Sequence, residues 1–277
     1  MYNTTGMSQG LFTVHNGTQK ESANALFWIG ASKVKVTREK IKVPKKEMMR
    51  GPKRGRITTF SIASRRRLMR KLAEVDRKVL PLFVTLTFPD EFYSYITDPV
   101  MWKKVLKRFI SRFRRKFPDG AFVWRLELQT RKSGKHIGEV FPHFHLLVYG
   151  VTYADMLRWV SDAWFESCGM LSDAHRRAGT QVKKVDSARH LIAYVSKYLA
   201  KPENYEMEIG RVWGVIQAEN IPFVRAVICQ LTEREAVQLI RYLRRFAHLK
   251  GRDYQSLTIL LDAEQWWRNL DRLLYPY

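Results

Sequence analysis

Two segments set the terms for this chain: AFVWRLELQT at 121–130 and FPHFHLLVYG at 141–150, separated by RKSGKH. Both are rich in aromatic and β-branched residues. The Ser133-Gly134-Lys135 stretch between them predicts an antiparallel hairpin. Alternate side chains of a strand share a face. His143 and His145 therefore point one way, and Phe144, Leu146 and Val148 the other. On the partner segment Arg125, Glu127 and Gln129 share a face, opposite Trp124, Leu126 and Leu128. Folding about residues 135–136 sets Glu127 across from the histidine pair. An isolated His-Phe-His triplet is more often a hydrogen-bonded core feature than a ligand set. With Glu127 opposite, it becomes two imidazoles and a carboxylate on one surface, with the histidine Cα atoms on the order of 7 Å apart along the strand. Such a mixed nitrogen and oxygen set suits Mg²⁺ or Mn²⁺, with Zn²⁺ possible. Thr85 and Thr87 of LFVTLT are expected on the same face, and Glu139 is a rival third ligand.

The surroundings of the hairpin predict an α+β fold, a central antiparallel sheet with helices packed on it. PLFVTLTFPD reads as a strand ending at Pro89-Asp90. Asp98-Pro99 is a helix start, with Asp as cap and Pro at the first position. Trp102, Val105, Leu106, Phe109, Ile110, Phe113 and Phe117 then recur at helical spacing, with Lys103, Lys104, Lys107, Arg108, Arg112, Arg114 and Arg115 on the other face. A helix from Tyr153 stops near Gly169, and GTQVKKVD is a short strand. GRVWGVI and PFVRAVICQL are further strands, and Thr232 with Glu235 makes a capping box for a helix reaching about His248. Asp262 caps a last helix with the Trp266-Trp267 pair.

The 277 residues carry 49 Lys and Arg against 26 Asp and Glu, a formal net charge of +23. A chain this basic is expected to meet a polyanion, and nucleic acid is the leading class. Lys33 to Lys71 holds 16 basic residues and two glutamates. Residues 1–57 read as a basic arm, and FSIASRRRLMRKLAEVDRK after it as a helix with Ile62, Leu68, Leu72 and Val75 on its apolar stripe. No apolar run approaches the ~18 residues of a membrane span, and the N-terminus lacks a signal-peptide pattern. Cys168 and Cys229 stand apart with no CxxC, as structural thiols in a reducing compartment would. The expected location is the cytoplasm.

HLIAYVSKYLAKP, within a predicted helix from Ser187 to Lys201, places His190, Tyr194 and Tyr198 on one face. Lys197 and Lys201 each follow a tyrosine by three residues, and Leu191, Val195 and Leu199 form the adjacent apolar stripe. Tyrosines on a helix are most often packing residues. Here each has an amine neighbour able to stabilise a phenolate or a nearby phosphate, and tyrosine is a known covalent nucleophile.

In this order, FVTLTFPD, PHFHLLVYG and YVSKYLAK resemble the three motifs of the HUH endonucleases. The chain is most similar to the two-tyrosine rolling-circle replication initiators of small phages and plasmids. The resemblance covers about residues 60–215 and implies a nickase domain over 58–215 with an RRM- or ferredoxin-like core, followed by a 216–277 extension of unassigned role. It implies a site-specific endonuclease and strand transferase: Tyr194 and Tyr198 as nucleophiles, Lys197 and Lys201 assisting, and a divalent metal on His143, His145 and Glu127. The implied partners are origin DNA, single-stranded or extruded at the cut, and a polymerase and helicase of a bacterial host, since no GxxxxGK[ST] is present. A transposase of the same chemistry is the alternative; a basic nucleic-acid-binding domain is the non-enzyme rival. A conjugative relaxase fits less well, for want of a third clustered histidine.

Overall fold

The computed structural model describes residues 23–29, 31–38, 55–132, 135–169, 173–187, 191, 205, 207–246 and 256–259. In chain order these give β1 (Ala23–Trp28), β2 (Lys33–Arg38), α1 (Ile62–Leu72), β3 (Leu82–Thr87), a 3₁₀ turn (Asp90–Tyr95), α2 (Pro99–Lys116), β4 (Ala121–Thr130), β5 (Val140–Tyr149), α3 (Tyr153–Cys168), α4 (Asp173–Ala178), β6 (Thr180–Lys184), β7 (Trp213–Ile216), β8 (Val227–Leu231), α5 (Glu233–Phe246) and β9 (Ser256–Ile259). The fold is α+β, with antiparallel sheets and helices packed on them.

The larger sheet has the order β6-β3-β5-β4-β7. The β4–β5 hairpin puts the two most apolar strands side by side near its middle. α2 begins where the sequence predicts: the Asp98 side chain accepts from the backbone N–H of Val100 and Met101, and Pro99 occupies the first turn. Trp102, Val105, Leu106, Phe109 and Phe113 bury one stripe of this helix. Phe113 meets Phe122 edge-on at 4.8 Å, and Trp164 of α3 meets Phe88 at 5.1 Å, so α2 and α3 close one side of the sheet with interlocked rings. α3 ends on Gly169, whose φ of 71° is the left-handed conformation glycine adopts freely.

Three expectations are corrected. Lys103 is not on a solvated basic face. It is half-buried over the Trp124 ring at 5.1 Å, and its ammonium donates to the Arg211 carbonyl. Burial, with Arg125 and Arg211 nearby, lowers its pKa to about 7. Arg108 and Arg112 of the same helix are tied to α3, through the Ser167 carbonyl and Glu166. Ile62 of α1, read as part of its apolar stripe, is exposed, because it sits at the first helical position and points off the end.

The third correction concerns the arm. Ala23–Trp28 and Lys33–Arg38 are paired strands, and they join β8 and β9 in a second sheet of order β8-β1-β2-β9. α5 packs on its apolar side, where Phe27, Val34, Val36, Leu239 and Leu243 are buried. The predicted capping box is present: the Thr232 hydroxyl accepts from the Glu235 N–H, and the Glu235 carboxylate accepts from the Thr232 N–H at 2.7 Å. Segments at 23–38 and 227–259 thus build one unit. It abuts the end of α1, where Ser32 N–H donates to the Ala73 carbonyl and Lys33 pairs with Glu74. The last predicted helix, with Trp266 and Trp267, lies outside the described residues.

Candidate functional site

The site grows from the register of three strands. Glu127 pairs with His143 and Arg125 with His145 across β4–β5, while Thr87 pairs with His143 and Thr85 with His145 across β3–β5. Paired residues point to the same side, so one face carries two threonines, two histidines, a glutamate and an arginine in adjacent rows. It is the face away from α2 and α3, because Phe144, in the alternate position, lies against Trp164 and Trp124.

These polar groups are not at the surface. His145 is 2 % exposed, Glu127 4 % and His143 9 %. Burial of this kind is costly unless each group is hydrogen-bonded. The Thr85 hydroxyl lies 3.2 Å from His145 Nδ1, and the Thr87 hydroxyl 3.1 Å from His143 Nδ1. His145 Nε2 is 2.7 Å from Glu127 Oε2. The imidazole planes are within 13° of parallel with centroids 6.5 Å apart, and Phe83 stacks on His145 at 5.5 Å. Both rings are thus held by Nδ1 from the β3 side, leaving each Nε2 on the far side of its ring, toward β4. Burial and the neighbouring His145 lower the His143 pKa from 6.5 to about 4, so this imidazole is neutral at pH 7.

Two imidazoles and a carboxylate are donor types that a divalent cation takes. Ligating imidazoles normally use their second nitrogen to hold the ring, and hydroxyls serve here. A threonine hydroxyl both donates and accepts, so it suits either tautomer. In the tautomer whose Nε2 carries the proton toward Glu127, Nδ1 of His145 accepts from Thr85. An ion at Nε2 would displace that proton, and the hydroxyl would accept from Nδ1 instead. Among the described residues no three His, Cys, Asp or Glu side chains are already gathered as ligands of one ion. Neighbouring octahedral ligands at ~2.1 Å from an ion stand about 3 Å apart. The Glu127–His145 pair is near that spacing, whereas the two rings must tilt toward each other to reach it. Glu139, the rival ligand, is exposed in the turn before β5, where its N–H donates to the His136 carbonyl.

Two features escaped the sequence. Arg125 is fully buried, with its guanidinium 4.1 Å from the centre of the Phe60 ring and donating to the Tyr205 hydroxyl at 3.1 Å. The alternation of VWRLELQ placed Arg125 on this face, but nothing local marked its partners. α1 also lies on this side: Trp213, paired with Arg125, donates from its indole to the Ser64 hydroxyl at 2.9 Å. The basic side of α2, by contrast, is across the sheet from the imidazoles.

Tyr194, Tyr198, Lys197, Lys201 and His190 lie outside the described residues. At the start of their predicted helix, the Leu191 N–H donates to the Ser187 carbonyl at 3.0 Å, and Leu191 packs against the core of the larger sheet. No helix among the described residues is long and apolar enough to cross a membrane.

No curated protein and no solved structure matches this chain. Residues 81–203, less than half of it, match the family model of the replication-associated protein ORF2. That segment contains β3 to β6, the imidazole face and the tyrosine motif, and its match is consistent with a rolling-circle initiator and supports a role in the initiation of DNA replication.

Proposed function

We propose that the chain nicks one strand of an origin and rejoins it, with Tyr194 and Tyr198 as nucleophiles and the imidazole face as the metal-holding surface. The observation that carries the reading is the buried cluster of His143, His145 and Glu127, each ring held by a threonine hydroxyl, within a segment similar to replication-associated proteins. In the first step a phenol oxygen bonds to phosphorus as the bond from phosphorus to the 3′-oxygen breaks. The phenol proton is lost, the 3′-oxygen leaves as a hydroxyl that primes synthesis, and the 5′ phosphate stays on tyrosine. A second tyrosine repeats the exchange, so that a new 3′-hydroxyl can attack the first linkage and close a circle. His143, His145 and Glu127 would hold Mg²⁺ or Mn²⁺. Bound there, the ion polarises the phosphoryl group and stabilises developing charge. Lys197 and Lys201 lower the cost of a phenolate beside them. The exposed Arg66, Arg67 and Arg70 of α1, on the imidazole side, take the DNA backbone, which makes affinity fall with salt.

The test is covalent attachment to a labelled origin oligonucleotide in Mg²⁺ or Mn²⁺, with Tyr194→Phe and Tyr198→Phe singly and combined. The combined variant is expected to lose the adduct altogether. An adduct that survives both substitutions overturns the assignment. A transposase of the same chemistry would give the same adduct and is separated by the DNA ends it joins.

A further inference from the structure

Beside the imidazole face, at the turn end of the β4–β5 hairpin, lies an aromatic feature that packing alone does not require. Tyr93 of the 3₁₀ turn and His136 stack face to face, with centroids 4.1 Å apart and planes 6° from parallel. Tyr93 is still 38 % exposed with one ring face covered. Next to the pair in the chain are Ile137 at 65 % and Val140 at 47 % exposure, and Lys132 and Lys135 are exposed close by.

The pair is held in place. Arg131 forms an ion pair with Asp90 and donates to the Phe88 carbonyl, and its guanidinium covers the Phe141 ring at 3.8 Å. The Gly138 N–H donates to the Arg131 carbonyl at 3.0 Å, and the Arg131 N–H donates to the Glu139 carbonyl at 2.8 Å. Phe141, 6.0 Å from the His136 ring and 6.3 Å from that of Tyr93, joins the stack to the site. It lies two residues before His143 on the same face of β5, on the order of 7 Å along the strand.

We propose that the Tyr93–His136 stack is a nucleobase platform, holding one base of single-stranded DNA beside the imidazole face. This rests on the reading that the imidazole face handles a DNA strand. A rigid, half-exposed aromatic surface offers contact to any base at small entropic cost, and the flanking lysines meet the phosphates. The platform holds a base a short way along the strand from the phosphate that the imidazole face would hold.

The test measures affinity in the Tyr194→Phe/Tyr198→Phe background, so that cleavage does not intervene. The probes are an oligothymidylate of about 12 nucleotides and an abasic chain of equal length. Tyr93→Ala is expected to weaken oligothymidylate binding about 5- to 150-fold, the span of base–aromatic stacking, and to leave abasic binding unchanged. Tyr93→Trp keeps the affinity. His136→Ala shows the same selective loss to a smaller degree. Equal affinity of Tyr93→Ala and the parent for oligothymidylate overturns the platform. So does an equal loss on both probes, which marks a phosphate or purely structural role. A parent chain that fails to bind oligothymidylate overturns it too. The adduct assay reads the nickase separately, so a protein that binds through Tyr93 without forming an adduct would sink only the catalytic reading.

Discussion

Phe144 and His145 are neighbours in β5, yet they belong to opposite worlds. On the helix side, Phe144 sits among Phe88, Trp124 and Trp164, with centroids between 5.9 and 6.2 Å. On the other side His145 has a threonine, a carboxylate and a phenylalanine ring as neighbours. The first surface is held by area and shape, to which each ring contributes without direction. The second is held by hydrogen bonds that offset the cost of burying polar atoms. One face can therefore be rebuilt from many apolar combinations. The other depends on a few donors and acceptors, and that is where chemistry can be placed without dismantling the core.

The contrast is broken most forcefully on the helix side. Phe144→Ala is expected to destabilise the protein by about 3–5 kcal/mol, the range for a large buried ring, read as a drop in the urea midpoint. A midpoint unchanged from the parent would mean that this face does not carry the core. His175 tests how strongly burial weighs on a polar group on the helix side, where its ring lies 4.0 Å from Cys168 of α3. Burial lowers its pKa from 6.5 to about 4. Between these values the unfolded chain binds the proton and the folded chain does not. This contribution is therefore present above pH 6.5, shrinks as the pH falls, and is gone below about 4. Over the whole range it amounts to about 3 kcal/mol. Urea unfolding of His175→Gln against the parent, from pH 7 to pH 4, should show a shallower loss in the variant; parallel curves would contradict the assignment. The smallest effect belongs to the threonines. Thr85→Val and Thr87→Val each remove one hydrogen bond to a ring nitrogen and should cost about 1 kcal/mol in stability. They should lower adduct formation more than they lower stability, since they release the ring orientation.

Much of this was legible in local pattern. The Ser133-Gly134-Lys135 stretch and the alternation of the flanking segments predicted that Glu127 faces the histidine pair, and the structure sets it opposite His143. Asp98-Pro99 and Thr232…Glu235 marked real helix starts, because a cap is a contact within one turn. The strand pair ANALFW and KVKVTR was not legible. Each is six residues, and the second lies in a stretch whose charge suggests an arm. Their stability comes from β8 and β9, some 200 positions away in the chain, and no local window reports such a contact. Lys103 misled for a related reason. Helical spacing gives its side of α2, but only packing shows that this side leans over Trp124. The tyrosine motif rests on the sequence, and its residues lie outside those described.

Which side chains share a face could be read from the amino acids alone, since it follows from the two-residue period of a strand and from one short turn. Beyond that hairpin, which strands are neighbours emerged only in the folded molecule. Folding set β3 against β5, which brings Thr85 and Thr87 within hydrogen-bonding reach of the imidazoles. It also joined strands at 23–38 with strands at 227–231 and 256–259 in a second sheet. The period is fixed by backbone geometry at each residue, whereas strand order is settled by a competition among distant contacts and the entropy of closing the loops between them.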